Sequence, residues 1–249
     1  MTTADWGRLA PLPIVTPYNK GKPTLSWAAR AKAYANLPVR PLLITAELVT
    51  PVLHAEQSAT HLDSIISAAV LTDHPHPSRF QGPACVLPLP LALLWVSPEG
   101  LPLWACTPLR PLGEALDGRE YWHKRYPSHR ADLGDKLSAN TSAGRWREYR
   151  IPLAPQHTTA LGALAIGNAD EIRRLLEGIS HIGKKGSQGF GRVARWSVLE
   201  SGHDVQDVLM RRAVPIASGL GGDRPVSRNR AWTAPYWYAP WWADCTVPE

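Results

Sequence analysis

Between His181 and Trp196 the chain reads His-Ile-Gly-Lys-Lys-Gly-Ser-Gln-Gly-Phe-Gly-Arg-Val-Ala-Arg-Trp, and no other stretch restricts the fold as much. Four glycines, Gly183, Gly186, Gly189 and Gly191, fall within nine residues, interleaved with Lys184, Lys185 and Arg192 and with no acid among them. Glycine lets backbone turn through positive φ and approach a ligand closely. Successive N–H groups in such a turn form an anion-binding concavity, to which the cations add charge. Upstream, Asp170–Gly178 places Ile172, Leu175 and Leu176 at i, i+3, i+4 spacing and ends on glycine, predicting a short helix. Downstream, Arg192–Leu199 carries Val193, Trp196 and Val198 and reads as a strand. The order is therefore helix, basic glycine loop, strand.

That order decides between phosphate-binding devices. A Walker A loop follows a strand and precedes a helix, and ends Lys-Ser/Thr. Here the flanks are reversed, and Lys185 stands where the metal-binding hydroxyl belongs. A dinucleotide fingerprint fails on spacing and lacks its following helix. What remains suits a phosphodiester backbone: His181, Gly183, Lys184, Lys185 and Gly186, then Ser187, Gln188, Gly189, Phe190, Gly191 and Arg192.

The chain has 249 residues, enough to bury a sizeable core. A net charge of +6 tilts it toward an anionic partner. Twenty-four prolines imply long irregular connections. Residues 1–41 read as an irregular arm with one helical patch, Ser26–Asn36. Leu42–Thr50 is a strand, and Leu62–Val70 a helix with Asp63 near its start. Val86–Val96 and Leu101–Thr107 read as a hairpin joined through Ser97-Pro-Glu-Gly100. Cys85, Cys106 and Cys245 form no C-x-x-C pair, and Met1–Trp6 shows no basic-then-apolar leader, so reduced thiols in a cytoplasm are the expectation. The longest apolar run, Ala84–Val96, is broken by Pro88 and Pro90 and falls short of the roughly 20 residues a membrane helix needs.

Two further stretches bear on function. Arg119–Arg150 holds eight Lys or Arg against four acids, interleaved with Tyr121, Trp122, Tyr126, Trp146 and Tyr149. Cations neutralise phosphates while aromatic faces stack unpaired bases, a pattern suited to single-stranded nucleic acid. In the tail, Trp232, Tyr236, Trp237, Tyr238, Trp241 and Trp242 cluster with Pro235 and Pro240. Aromatics at that density are expected to fold back on the domain or to dock another chain.

The helix, the loop phrase Gly186-Ser-Gln-Gly-Phe-Gly-Arg192 and the closing strand together resemble the glycine-rich loop of the RAMP superfamily of CRISPR RNA-binding proteins. The opening strand, loop and Leu-Asp-Ser-Ile-Ile-Ser-Ala-Ala helix are similar to the start of such proteins. The fold this resemblance implies is α+β: a ferredoxin-like, RRM-like RAMP domain over residues 42–200. It would carry a basic β-hairpin thumb insertion at 109–164 and an aromatic-rich C-terminal extension at 201–249. The implied role is a non-catalytic subunit capping the 5′ handle of the guide RNA, in a complex of the type IV kind serving antiviral defence. Thumb contacts with RNA or DNA would come from Lys124, Arg125, Arg130, Lys136, Arg145, Trp146 and Arg147. Implied partners are the guide RNA, the helical backbone subunit, a large-subunit-like protein and target DNA nearby, with no cofactor, no metal and no membrane.

A second reading stays open. Several superfamily members cut repeat RNA by metal-independent attack of a 2′-hydroxyl, with a histidine in the loop after the first strand. His54 and His61 fall there, and either is a candidate acid or base at neutral pH, with Lys184 or Lys185 as the cation.

Overall fold

The computed structural model describes residues 25–54, 60–73, 86–125, 142, 147–234, 236 and 239–248. Helix α1 (Leu25–Ala35) leads into strand β1 (Arg40–Leu48) and helix α2 (Leu62–Thr72). Seven short strands follow: β2 (Leu93–Val96), β3 (Pro102–Trp104), β4 (Arg110–Pro111), β5 (Leu116–Asp117), β6 (Glu120–Lys124), β7 (Tyr149–Leu153) and β8 (Gln156–His157). Then come β9 (Ala160–Gly167), α3 (Ala169–Glu177), β10 (Val193–Glu200) and α4 (Val205–Met210). The chain closes with β11 (Val214–Pro215), β12 (Val226–Arg230) and β13 (Ala243–Thr246).

β1 is the centre of the main sheet. It pairs antiparallel with β10 on one side and β9 on the other, and β9 pairs with β4, giving the order β10-β1-β9-β4. Side chains alternate across a strand, so Leu42, Ile44 and Ala46 of β1 all point to one face and are fully buried. There they join Leu161, Ala163 and Ala165 of β9 beneath the apolar faces of α2 and α3. Each large side chain so buried contributes about 1.5–3 kcal/mol. Part of the opposite sheet face is also covered: Ile166 packs with Tyr34 of α1 and Val208 of α4.

Local signals place α2, α3, β1 and β10 within two residues of their observed ends. α3 is capped by Asn168, whose side chain accepts from the Glu171 N–H. The middle of the sheet differs from expectation. The apolar run predicted as a long hairpin forms strand only at β2 and β3, a separate two-stranded sheet. Residues 86–92 are buried but irregular, because prolines at 88 and 90 interrupt ladder bonding. The strand beside β1 is instead β9, which begins at Ala160, inside the stretch read as insertion. Its sequence, Ala-Leu-Gly-Ala-Leu-Ala-Ile-Gly, is poor in β-branched residues and announces no strand. Small residues are required there: a Cβ on Gly162 would meet Leu112, and one on Gly167 would meet the Pro90 carbonyl at 2.6 Å.

The C-terminal part forms a three-stranded sheet, β11-β13-β12, over a second cluster with Leu103, Leu209, Val214, Trp232 and Cys245. It is fastened to α2 by a buried polar network. Arg212, 1% exposed, donates through Nη1 to the Trp104 and Cys106 carbonyls and through Nη2 to the Trp232 carbonyl at 2.6 Å. Its Nη2 lies 3.9 Å from Oδ2 of the fully buried Asp63. The Tyr236 hydroxyl donates to the same carboxylate oxygen at 2.8 Å, and its ring stacks on His61 with centroids 3.7 Å apart. Burial raises the Asp63 carboxyl above its ordinary value, against the opposing pull of Arg212 and the Tyr236 hydroxyl. Cys106 and Cys245 are buried free thiols.

Breaking one partner of a buried, hydrogen-bonded charge pair leaves the other uncompensated, at about 3–5 kcal/mol. Arg212→Ala is therefore expected to lower the unfolding free energy read from urea denaturation by that amount, while Arg195→Ala, at an exposed pair with Glu47, leaves it near wild type. A second expectation concerns pH. Burial, then Arg212, Arg230 and Arg110, lower the His61 pKa from 6.5 to about 3. Below pH 6.5 the unfolded chain takes up a proton the folded one refuses. Stability is thus complete above that value and lost as pH falls toward 3, by up to about 1.4 kcal/mol per pH unit. Urea midpoints at pH 7.5 and 5 should differ less in His61→Phe, which keeps a ring against Tyr236, than in wild type.

Candidate nucleic-acid interface

The glycine loop is closed at its neck by backbone bonds. Ile182 N–H donates to the Gly191 carbonyl at 2.9 Å and Val193 N–H to the Ser180 carbonyl at 2.9 Å. The closed loop then docks against the chain leaving β1. Gly191 N–H donates to Pro51 O and Lys184 N–H to Leu53 O, each at 2.7 Å, while Arg192 N–H reaches the Thr50 hydroxyl at 2.9 Å. Two glycines are explained by these approaches. A Cβ on Gly191 would sit 1.9 Å from the Ile182 carbonyl oxygen, and one on Gly183 would sit 2.4 Å from that of Leu53. Gly189, at φ 91°, ends the single 3₁₀ turn Gly186–Gln188 and has open space where a Cβ would stand.

Much of the loop's donor capacity is thereby spent inside the protein. The N–H groups of Lys184, Gln188, Gly189, Phe190, Gly191 and Arg192 all have internal acceptors. What the loop turns outward is mainly charge: Lys184, Lys185 and Arg192 are exposed, with Ser187 and His181 beside them. Phe190 and Gln188 are partly covered, and the Gln188 Oε1 is buried without a hydrogen-bond partner. Lys185 is held at φ 64°, a left-handed conformation that costs a side-chain-bearing residue about 1–2 kcal/mol. A glycine would adopt it freely, yet the position carries a cation.

That cation faces the β6–β7 hairpin. Lys185 Nζ lies 5.8 Å from the centroid of the Trp122 ring, and Trp122 Nε1 donates to the Tyr149 hydroxyl at 3.3 Å. Trp122, Ile151 and Tyr149 share one hairpin face by register. The opposite face carries Tyr121, with the Arg150 guanidinium carbon 3.8 Å and that of Arg119 5.6 Å from its centroid. Of the hairpin residues singled out in the sequence, Lys124 lies on β6, while Arg125 and Arg147 are exposed at its far end. Arg130, Lys136, Arg145 and Trp146 lie outside the described residues. Trp122 is visible in the sequence only as one interleaved aromatic, and no local signal ties it to a loop so distant along the chain.

The two loop histidines are drawn into the scaffold. His54 uses both ring nitrogens, Nδ1 with the Thr60 hydroxyl at 3.1 Å and Nε2 with Gln156 Oε1 at 3.3 Å. His61 lies under Tyr236 with its proton affinity suppressed. Nor is the outer face of the main sheet a base-stacking platform. Its rows across β1 and β10 are Leu43 with Leu199, Thr45 with Ser197, and the ion pair of Glu47 with Arg195.

Among the described residues no helix is long and apolar enough to cross a membrane, and no three His, Cys, Asp or Glu gather as a metal site. Among curated proteins none matches the chain in sequence. A family model described as CRISPR type IV associated protein Csf3 matches residues 117–247, just over half of the 249. The match takes in the hairpin, β9, α3, the glycine loop, β10 and the C-terminal sheet. The chain belongs to this Csf3 family of RAMP-like, type IV CRISPR-associated subunits.

Proposed function

We infer that the chain is a guide-RNA-binding subunit of a type IV CRISPR effector complex, and that it caps the 5′ handle of the RNA without cutting it. The observation that carries this reading is the meeting of Lys185 with Trp122. A basic loop and an aromatic hairpin, far apart in the chain, form one surface offering phosphate-binding charge beside a ring for an unpaired base. Membership of the Csf3 family supplies the CRISPR context.

The strand order β10-β1-β9-β4, antiparallel throughout, with α2 and α3 on one face, supports the ferredoxin-like description of the RAMP domain. The β6–β7 pair supports a thumb rooted at this position. In this reading the loop holds handle phosphates. The thumb divides the handle from the guide segment held by the helical backbone subunit, and a large-subunit-like protein and the target's flanking DNA lie near, in a cytoplasm. A non-catalytic role is favoured by the internal engagement of both His54 nitrogens and the packing of His61.

Binding of repeat 5′-handle RNA should weaken with salt, and Lys184→Ala with Lys185→Ala should flatten the log–log slope by about 1.4, near 0.7 per lost phosphate contact. An unchanged slope removes the loop from the interface. Lys185→Gly separates fold from function: stability should hold or rise by up to about 1 kcal/mol as the left-handed strain is relieved, while RNA affinity falls. Incubation of excess protein with repeat RNA in EDTA should leave the RNA intact. Ends bearing 2′,3′-cyclic phosphate, lost in His54→Ala, would restore the nuclease reading.

A further inference from the structure

The glycine loop and the β6–β7 hairpin rest on the same short stretch, the chain leaving β1. The Pro51 and Leu53 carbonyls accept from the loop, through Gly191 N–H and Lys184 N–H. Val52, between them, bonds the hairpin's root instead. Its N–H donates to the Gln156 carbonyl at 3.0 Å, and Gln156 N–H donates back to the Val52 carbonyl at 2.8 Å. Gln156 belongs to β8, whose other edge pairs with β5, Asp117 standing opposite Gln156. From this root the ribbon runs outward to β6 and β7. Gly118 closes the step between, its N–H donating to the Pro155 carbonyl at 2.7 Å, and a Cβ there would meet His157 Nε2 at 2.7 Å.

The Gln156 side chain uses both ends of its amide. The Asp117 carboxylate only accepts, so the amide nitrogen faces it, donating to Oδ1 at 3.4 Å. The amide oxygen is left for His54 Nε2, which donates to it at 3.3 Å. His54 Nδ1 in turn meets the Thr60 hydroxyl at 3.1 Å, and the Thr60 carbonyl accepts from Leu109 N–H at 2.8 Å, just ahead of β4. One side chain thus joins the hairpin's root to the chain on both sides of α2. A single reciprocal pair of backbone bonds, such as that of Val52 with Gln156, fixes the spacing of two segments. It leaves their twist open, and twist varies widely in two-stranded ribbons. The Gln156 bonds reach to either side of that pair and hold the twist. Trp122 lies further out on the same ribbon, so the twist at the root decides whether its ring arrives at Lys185.

We propose that Gln156, held between His54 and Asp117, is the positioning residue that sets the hairpin against the glycine loop and so brings Trp122 to Lys185. Its consequence for binding rests on the guide-RNA reading, while its geometry does not. His54 then serves as a fixed anchor for the amide.

The first readout needs no RNA. In the full chain carrying bimane at Lys185→Cys, with Cys85→Ser, Trp122 should quench the dye, and Trp122→Phe gives the unquenched reference. Gln156→Met, neutral and close in length, should lose most of that quenching while the protein stays folded by urea denaturation. Gln156→Glu turns a carboxylate oxygen toward Asp117 and should lose it too. Adding Asp117→Asn supplies an N–H to that oxygen and should restore it. A role in stability alone leaves quenching in the folded variants at the wild-type level, and that result overturns the proposal. Should Gln156→Met unfold, Asp117→Leu, which removes the acceptor at the hairpin end, takes its place. The second readout is binding of labelled repeat 5′-handle RNA with Lys185 and Trp122 intact. Gln156→Met should bind about two- to tenfold more weakly, the range expected for lost hydrogen bonds, and wild-type affinity also overturns the proposal. If the wild-type chain binds no such RNA, the guide-RNA reading falls, and the quenching series alone decides whether Gln156 positions the hairpin.

Discussion

The guanidinium of Arg212 is the constraint on which the rest of the molecule turns. A buried charge is tolerated only with partners on every side, and Arg212 finds its partners in three different parts of the chain. The Trp104 and Cys106 carbonyls come from the segment entering β4, the Trp232 carbonyl from the tail, and Asp63 from the first turn of α2. Tyr236 closes the circuit by donating to Asp63 while covering His61. A cation that meets three carbonyls and lies beside a carboxylate ties the C-terminal sheet to the domain through all of them at once.

That tie shapes the functional surfaces as well. By drawing Tyr236 onto His61, the network removes a histidine from solvent that would otherwise stand free in the loop after β1. By fixing Tyr236 it also fixes the Trp242 indole, which donates to the Tyr236 carbonyl. The glycine loop depends on a different economy. Much of its backbone is consumed in docking on residues 50–53, so what it presents to solvent is mainly the charge of side chains whose backbone is held beneath them. Lys185 is the sharpest case, a strained residue retained where glycine would be easier.

Elements that announce themselves locally were legible in the sequence. The i, i+3, i+4 spacing of Ile172, Leu175 and Leu176, the glycine spacing of the loop and the Leu42–Thr50 run that holds Ile44, Thr45, Val49 and Thr50 each specify their own structure. β9 was illegible because its strand character comes from its neighbours, not from its alanines and glycines. The run before β2 misled for the opposite reason: its apolarity records burial, while its prolines forbid the ladder. Of the site, the loop cations were readable and their partner Trp122 was not, since nothing local couples residue 185 to residue 122. The Asp63–Tyr236 bond, spanning 173 positions, is likewise invisible to any window.

The place of β1 between β9 and β10 has a consequence for how the protein is made. During synthesis β1 leaves the ribosome more than a hundred residues ahead of either strand it must join. Until both emerge, an apolar strand with two open edges has no sheet to enter, and such edges invite pairing with other chains. Closure waits on long-range pairing, which is slow. The family-matched part of the chain supplies β9 and β10 but not the strand between them, so a version trimmed to that part would carry two flanks of a sheet with no middle.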